Sequence, residues 1–179
     1  MILKTYFQQY KPFLLFLGKF FLIYLGLTVL YQVYLASFGD VVVDGITANV
    51  AFLTHTVANI FGMNVSVQTD HLQYQIIYQG KYLARIIEGC NAISVIILFI
   101  AFVVAFSGKL KPTLIYILGG SLLIYVLNIF RIVFLIVLVY HFPTYEHLLH
   151  GVLFPLVIYG IVFILWLIWV NKFSEYARS

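Results

Sequence analysis

Four apolar stretches, at about residues 13–36, 91–107, 113–140 and 151–170, dominate this chain. A helix needs roughly 20 apolar residues to cross the ~30 Å hydrocarbon core of a bilayer. With 64% hydrophobic residues, 9% charged residues and a mean hydropathy of +1.06, the chain lacks the polar surface of a soluble domain. The expected architecture is therefore a single integral membrane domain over residues 1–179. It is an all-α polytopic protein with about four transmembrane helices, and the lipid bilayer is its first partner. The first stretch, following Lys4 and Lys11, runs from Phe13 to Phe38. A cleaved signal peptide has an apolar region of only about 7–15 residues, so this stretch reads as a retained anchor. Lys19 within it can snorkel to the amino-terminal surface.

Composition also removes whole classes of function. The net charge of +4 comes from scattered basic residues beside the spans, so no nucleic-acid partner is expected. One cysteine, with no CxxC or Cys/His ligand spacing, gives no disulfide and no metal site. No cofactor is implied.

Between the first two spans lies the longest polar excursion, residues 39–89, too long for a structureless loop. In "GITANVAFLTHTVANIFG" (45–62), Ile46, Val50, Leu53, Val57 and Ile60 recur at helical spacing. Thr47, Asn49, Thr54 and Asn59 lie largely elsewhere around the helix. This predicts an extracytoplasmic interfacial helix ended by Gly62. The next segment, 64–89, is rich in β-branched and aromatic residues, and Gln79-Gly80 predicts a short β-hairpin.

Basic residues set the orientation. Lys4 and Lys11 precede the first span, Lys109 and Lys111 join the second to the third, and Lys172 and Arg178 follow the fourth. Four spans place all three segments on one side, which the positive-inside rule makes cytoplasmic. Both termini are then cytoplasmic, and residues 39–89 and 141–150 face outward.

This topology brings distant residues to one level. Cys90 opens the second span from outside, and His147 and His150 precede the fourth. Arg131 lies about 27 Å along the third at ~1.5 Å per residue, near the outer boundary. It is the single charge in "LLIYVLNIFRIVFLIVLVY", with Asn128 and Tyr125 on the same face. A charge within a span costs several kcal/mol unless paired or hydrated, and marks a functional site by default. The structural reading is an architectural arginine that snorkels.

A lone cysteine is most often a small buried hydrophobe. At a helix amino terminus beside an arginine, however, a thiolate is favoured, and the same N–H groups can face an oxyanion. Ser94, one turn deeper, is a rival nucleophile. His147 and His150 share a face, either serving as general acid or base. His55, His71 and His141 read as polar interface residues, and Glu88 as a partner for Arg85.

Together "EGCNAIS" (88–94), "NIFRI" (128–132) and "EHLLHG" (146–151) resemble the exosortase/archaeosortase family, particularly the short F-type exosortases. They correspond to the family's cysteine motif, its Asn-x-x-Arg motif within a span and its His-x-x-x-Gly motif opening a later span. The resemblance implies Cys90 as nucleophile, with Arg131 and His147 as further catalytic residues. His147 is favoured over His150 because it stands four residues before Gly151. Asn128 and Asn91 are the implied substrate-binding neighbours. Two features depart from the pattern: Ala92 stands where the family often has glycine, and the extra spans of longer members are missing. The second departure implies a narrower substrate range or a small accessory membrane protein as partner. The implied activity is that of a cysteine transpeptidase or protease in a bacterial inner (cytoplasmic) membrane. It would act on membrane-anchored proteins with a carboxy-terminal sorting signal of motif, span and basic cluster, through a thioester formed at the outer surface. Two other readings stand beside it: a non-enzymatic assembly or transport subunit with Arg131 and Asn128 as a packing node, and a Ser94-dependent hydrolase.

Overall fold

The computed structural model describes residues 2–39, 42–106 and 108–173, with side chains from Tyr10 onward. The basic side chains expected at Lys4 and Arg178 lie outside the described residues. Helix α1 spans Ile2–Ala36, α2 Gly45–Ile60, α3 Ile93–Ala105, α4 Leu110–His141, α5 Glu146–Leu148 and α6 Phe154–Lys172. Strands β1 (Val65–Asp70), β2 (Gln73–Tyr78) and β3 (Lys81–Ile86) lie between α2 and α3.

Three helical stretches are long and apolar enough to cross a membrane: Tyr10–Ala36, Leu110–His141 and Pro143–Lys172. The expected second span is shorter than its apolar run. α3 has 13 residues, which at ~1.5 Å each is about 20 Å. Its start is delayed because Glu88–Cys90 forms a 3-10 turn and Ala92 adopts a left-handed conformation.

The helices pack in alternating directions. Phe16 of α1 meets Phe102 and Phe106 at the end of α3, at 5.8 and 4.4 Å between ring centroids. At the other end, Asn91 donates to the Tyr31 hydroxyl at 2.7 Å. Residues 16–31 of α1 therefore flank residues 91–106. α3 packs on α4 where Gly120 receives the buried ring of Phe99. A Cβ at Gly120 would overlap that ring, so a close approach is what requires glycine here. α6 closes the bundle through Trp166, stacked on Phe102 at 4.2 Å, and through the Leu165 carbonyl, which accepts from the Tyr116 hydroxyl at 2.6 Å.

α4 is longer than a span requires: 32 residues, or about 48 Å. Its carboxy-terminal part is covered by protein. Ile129, Ile132, Val133 and Ile136 form one core with Val50, Ala51 and Ala58 of α2 and with Val65, Ile76 and Ile86 of the sheet. The excursion is thus docked onto α4.

The expected hairpin is present as β2–β3. Gln79 and Gly80 both have positive φ (52° and 73°), which the twist of a two-residue hairpin requires. β1 adds a further strand, making an antiparallel meander in the order β1-β2-β3. Its turn to β2 uses His71, also at positive φ (48°), without a glycine to announce it.

α2 begins on Asp44, whose carboxylate accepts from the Ile46 and Thr47 amides at 3.0 and 2.9 Å. Gly62 terminates it at φ 74°. Its buried face differs from the expected one. Thr47, Val50, Ala51, Thr54 and Ala58 point inward, while Phe52 and Ile60 are exposed. Small side chains, two of them threonines, let α2 approach α4 closely; a face built on Ile46 and Ile60 would hold it farther away.

Candidate active site

Cys90 ends the 3-10 turn and is half-buried. Its N–H donates to the Ile87 carbonyl at 2.8 Å, and that of Asn91 to the Glu88 carbonyl at 3.2 Å. These amides are engaged within the turn, so they are not the oxyanion donors anticipated at a helix amino terminus. Asn91 then anchors the turn. Its amide nitrogen donates to Tyr31 Oη at 2.7 Å and Thr47 Oγ1 at 3.0 Å, while Oδ1 accepts from the Ile93 N–H at 3.0 Å. One buried side chain thereby ties α1, α2 and α3 together beneath the cysteine.

Ala92 follows at φ 65°, where an L residue pays a steric penalty of about 1–2 kcal/mol that glycine avoids. This gives a physical reason for a glycine at that position.

From α4, fully buried Asn128 donates through Nδ2 to the Cys90 carbonyl at 2.6 Å. Its Oδ1 accepts from Arg131 Nη1 at 3.2 Å. The Asn-x-x-Arg spacing thus has a local cause: three residues put both side chains on one face. Asn128 links the guanidinium to the cysteine turn. The guanidinium lies within electrostatic reach of the Cys90 thiol and of Tyr159 on α6. Its Nε is buried with no hydrogen-bond partner among the described residues. It is a donor that no described acceptor satisfies.

A cavity of about 290 Å³ opens on Cys90. β3 forms one wall, Leu135 and Val139 of α4 form another, and Glu146 and His150 complete it. His150 lies in a π-helical turn, Leu149–Leu153, that ends two residues before Pro155. Proline has no N–H and its ring clashes with the carbonyl four residues back, here that of Gly151, so a widened turn accommodates it.

The family model for transmembrane exosortases (Exosortase_EpsH) matches residues 12–171. The chain belongs to the transmembrane exosortase family. Comparison with curated proteins and with solved structures gives no match. Family membership and three long apolar helices make this exosortase a multi-pass membrane protein, and membership points to a membrane transpeptidase of the sorting type.

Within the exosortase, Cys90, Asn128 and Arg131 come together, and His150 joins Cys90 at the cavity. His147 is exposed and does not line it. Gly151, whose spacing singled out His147, is exposed, and an added Cβ there would meet nothing within 4 Å. Tyr125 turns away to Asn49 of α2 at 3.4 Å, and Ser94 is exposed on α3. Glu88 forms no ion pair with Arg85 among the described residues. It borders a separate hollow of about 630 Å³ beside Asp44, whereas Arg85 borders the Cys90 cavity. Asn91, anticipated as a substrate contact, has both amide hydrogens engaged inside the fold. Glu146 is the residue that sequence reading passed over. Its signal was the i, i+4 spacing to His150, which places a carboxylate and an imidazole on one helical face.

Proposed function

We propose that this exosortase is a cysteine transpeptidase that cleaves carboxy-terminal sorting signals at the outer surface of the bacterial inner membrane. The observation that supports it is the position of Cys90, which shares a cavity with His150 and is joined through its carbonyl to the Asn128–Arg131 pair. Cys90 as thiolate attacks the carbonyl carbon of the scissile peptide, and the carbonyl oxygen becomes an oxyanion facing Arg131. Collapse breaks the C–N bond, His150 protonates the leaving amine, and a thioester remains on Cys90. An amine, a lipid-linked nucleophile or water then attacks the thioester. His150 accepts its proton, and the Cys90 sulfur leaves. A packing-node reading would have neighbouring helices satisfy the arginine, yet Nε has no partner among the described residues. A Ser94 nucleophile would stand on an exposed position of α3. The three motifs favour the short F-type group within the family.

The test uses a reporter protein ending in a short sorting motif, an apolar span and a basic cluster. Incubation with the purified enzyme should give a covalent enzyme–reporter adduct released by neutral hydroxylamine and absent with Cys90→Ala. Reporter cleavage by the Cys90→Ala protein, with no such adduct, would rule the thioester out.

The same reading makes α3 a fourth, short crossing, flanked along its length by α1, with α2 seated at the outer interface through Phe52, Ile60 and Phe61. Both termini are then cytoplasmic. A cysteine at Gly80, in a Cys90→Ala background, should react with a membrane-impermeant thiol reagent in intact cells, and one at Lys109 should not. Labelling at Lys109 alone would invert the topology.

A further inference from the structure

The cavity beside Cys90 runs along the open edge of the sheet. β3 is the last strand of the meander, so its outer side pairs with no strand among the described residues. Tyr78 and Lys81 pair across the Gln79-Gly80 turn, and such a turn closes with a hydrogen bond from the last residue to the first. Ladder pairs alternate between bonded and outward-pointing main chains, so Tyr82 presents its N–H and C=O to the open edge. The register then shifts: Ile77 pairs with Tyr82 and Ile76 with Ala84, leaving Leu83 as the extra residue of a bulge. Bulges of this kind are common at sheet edges next to active sites.

Side chains from both faces of β3 line the same cavity. Leu83 and Ala84 pack toward the core shared with α2 and α4, whereas Tyr82 and Arg85 are exposed, and all four border the space. Only a cavity along the edge can touch both faces. Cys90 follows β3 by four residues and borders the same space, so the edge leads to the nucleophile.

The open edge chooses the occupant. An extended chain can pair with it, whereas a helix directs its carbonyls into its own hydrogen bonds. A strand also leaves alternate carbonyls accessible to a nucleophile.

The direction follows from α4. The turn before β3 lies at the level of Tyr140, which stacks edge-on against Tyr78 and sits beneath the Lys81 ammonium. Cys90 lies at the level of Asn128. β3 therefore descends along α4 from its outer end toward the cysteine.

We propose that the substrate segment preceding the apolar span binds as an extended strand added to the β3 edge, parallel to β3, with its scissile carbonyl at Cys90. Main-chain hydrogen bonds from β3 hold the strand, and the cavity receives alternate side chains. The site rests on the sorting-transpeptidase reading above. A chain descending from outside into its own span must run in the direction of β3, which gives the parallel sense.

Single-cysteine cross-linking in membranes tests this. Tyr82→Cys and Arg85→Cys are each placed in the Cys90→Ala protein, and each is oxidised with the sorting reporter carrying one cysteine at successive positions before its span. Disulfide yield should alternate with period two along the reporter, favoured positions exceeding their neighbours by roughly threefold or more. Moving the enzyme cysteine from Arg85 to Tyr82 should shift the favoured positions toward the reporter's amino terminus. Processing by the native enzyme is measured in parallel. Processing without alternation, or with the opposite shift, overturns the strand site and leaves the transpeptidase reading standing. Failure of the native enzyme to process the reporter overturns both.

Discussion

Replacing Arg131 with lysine should leave the exosortase inserted and abundant while slowing reporter processing by roughly two to three orders of magnitude, the loss typical of removing one oxyanion donor. Lysine keeps the charge and most of the reach. It loses the planar fork that lets Nη1 bond Asn128 while Nε stays free. An ammonium drawn to Asn128 has no second donor left for the proposed oxyanion. Alkylation of Cys90 by a small thiol reagent should also change in the same protein, because the Arg131–Asn128 bond that supports the contact to the Cys90 carbonyl is altered. Processing rate and thiol alkylation rate, measured on equal amounts of inserted protein, check both effects. Full activity with unchanged alkylation would leave Arg131 an architectural anchor.

His150→Ala should lower processing by roughly 10²–10⁴-fold, the usual contribution of a positioned acid–base group, whereas His147→Ala should change it only a few-fold. Spacing to Gly151 favours His147; the geometry favours His150. His150 borders the cavity that holds Cys90, while His147, three residues earlier, is exposed outside it. Rates with a good leaving group separate chemistry from folding. A thioester donor whose departing thiol needs little protonation should be processed by His150→Ala with a much smaller deficit than the peptide reporter. A larger loss in His147→Ala than in His150→Ala would show that the glycine spacing, and not the cavity, identifies the acid.

The same contrast shows what the sequence could convey. Long apolar runs require helices whatever their neighbours do, so α1, α4 and α6 were readable from hydropathy alone. Gln79-Gly80 revealed its hairpin because positive φ at consecutive residues strongly selects such pairs. The link between Asn128 and Arg131 was readable because i, i+3 neighbours meet on any helix. What depended on distant partners was hidden. β1 follows a turn in which His71 takes positive φ without glycine, and nothing local signals it. The buried face of α2 holds Thr47 because the Asn91 amide, 44 residues away, donates to its hydroxyl. The apolar run at 91–107 predicted a full span, but the turn that positions Cys90 removes its first residues from α3. His150, in the π turn before Pro155, borders the cavity, whereas His147, which 3.6-residue spacing puts on the same face, does not.

The central claim is that Cys90 is the nucleophile, and a single-atom exchange tests it most directly. Cys90→Ser keeps the size of the side chain and its turn, held by Asn128 and Asn91 through main-chain and neighbouring groups, but substitutes a hydroxyl without the thiol's acidity. Processing of the sorting reporter in intact cells is followed alongside the amount of inserted enzyme, with Ser94→Ala in parallel. The account predicts no mature product from Cys90→Ser at native enzyme levels, and near-native product from Ser94→Ala. Undiminished processing by Cys90→Ser, with loss in Ser94→Ala, would contradict it.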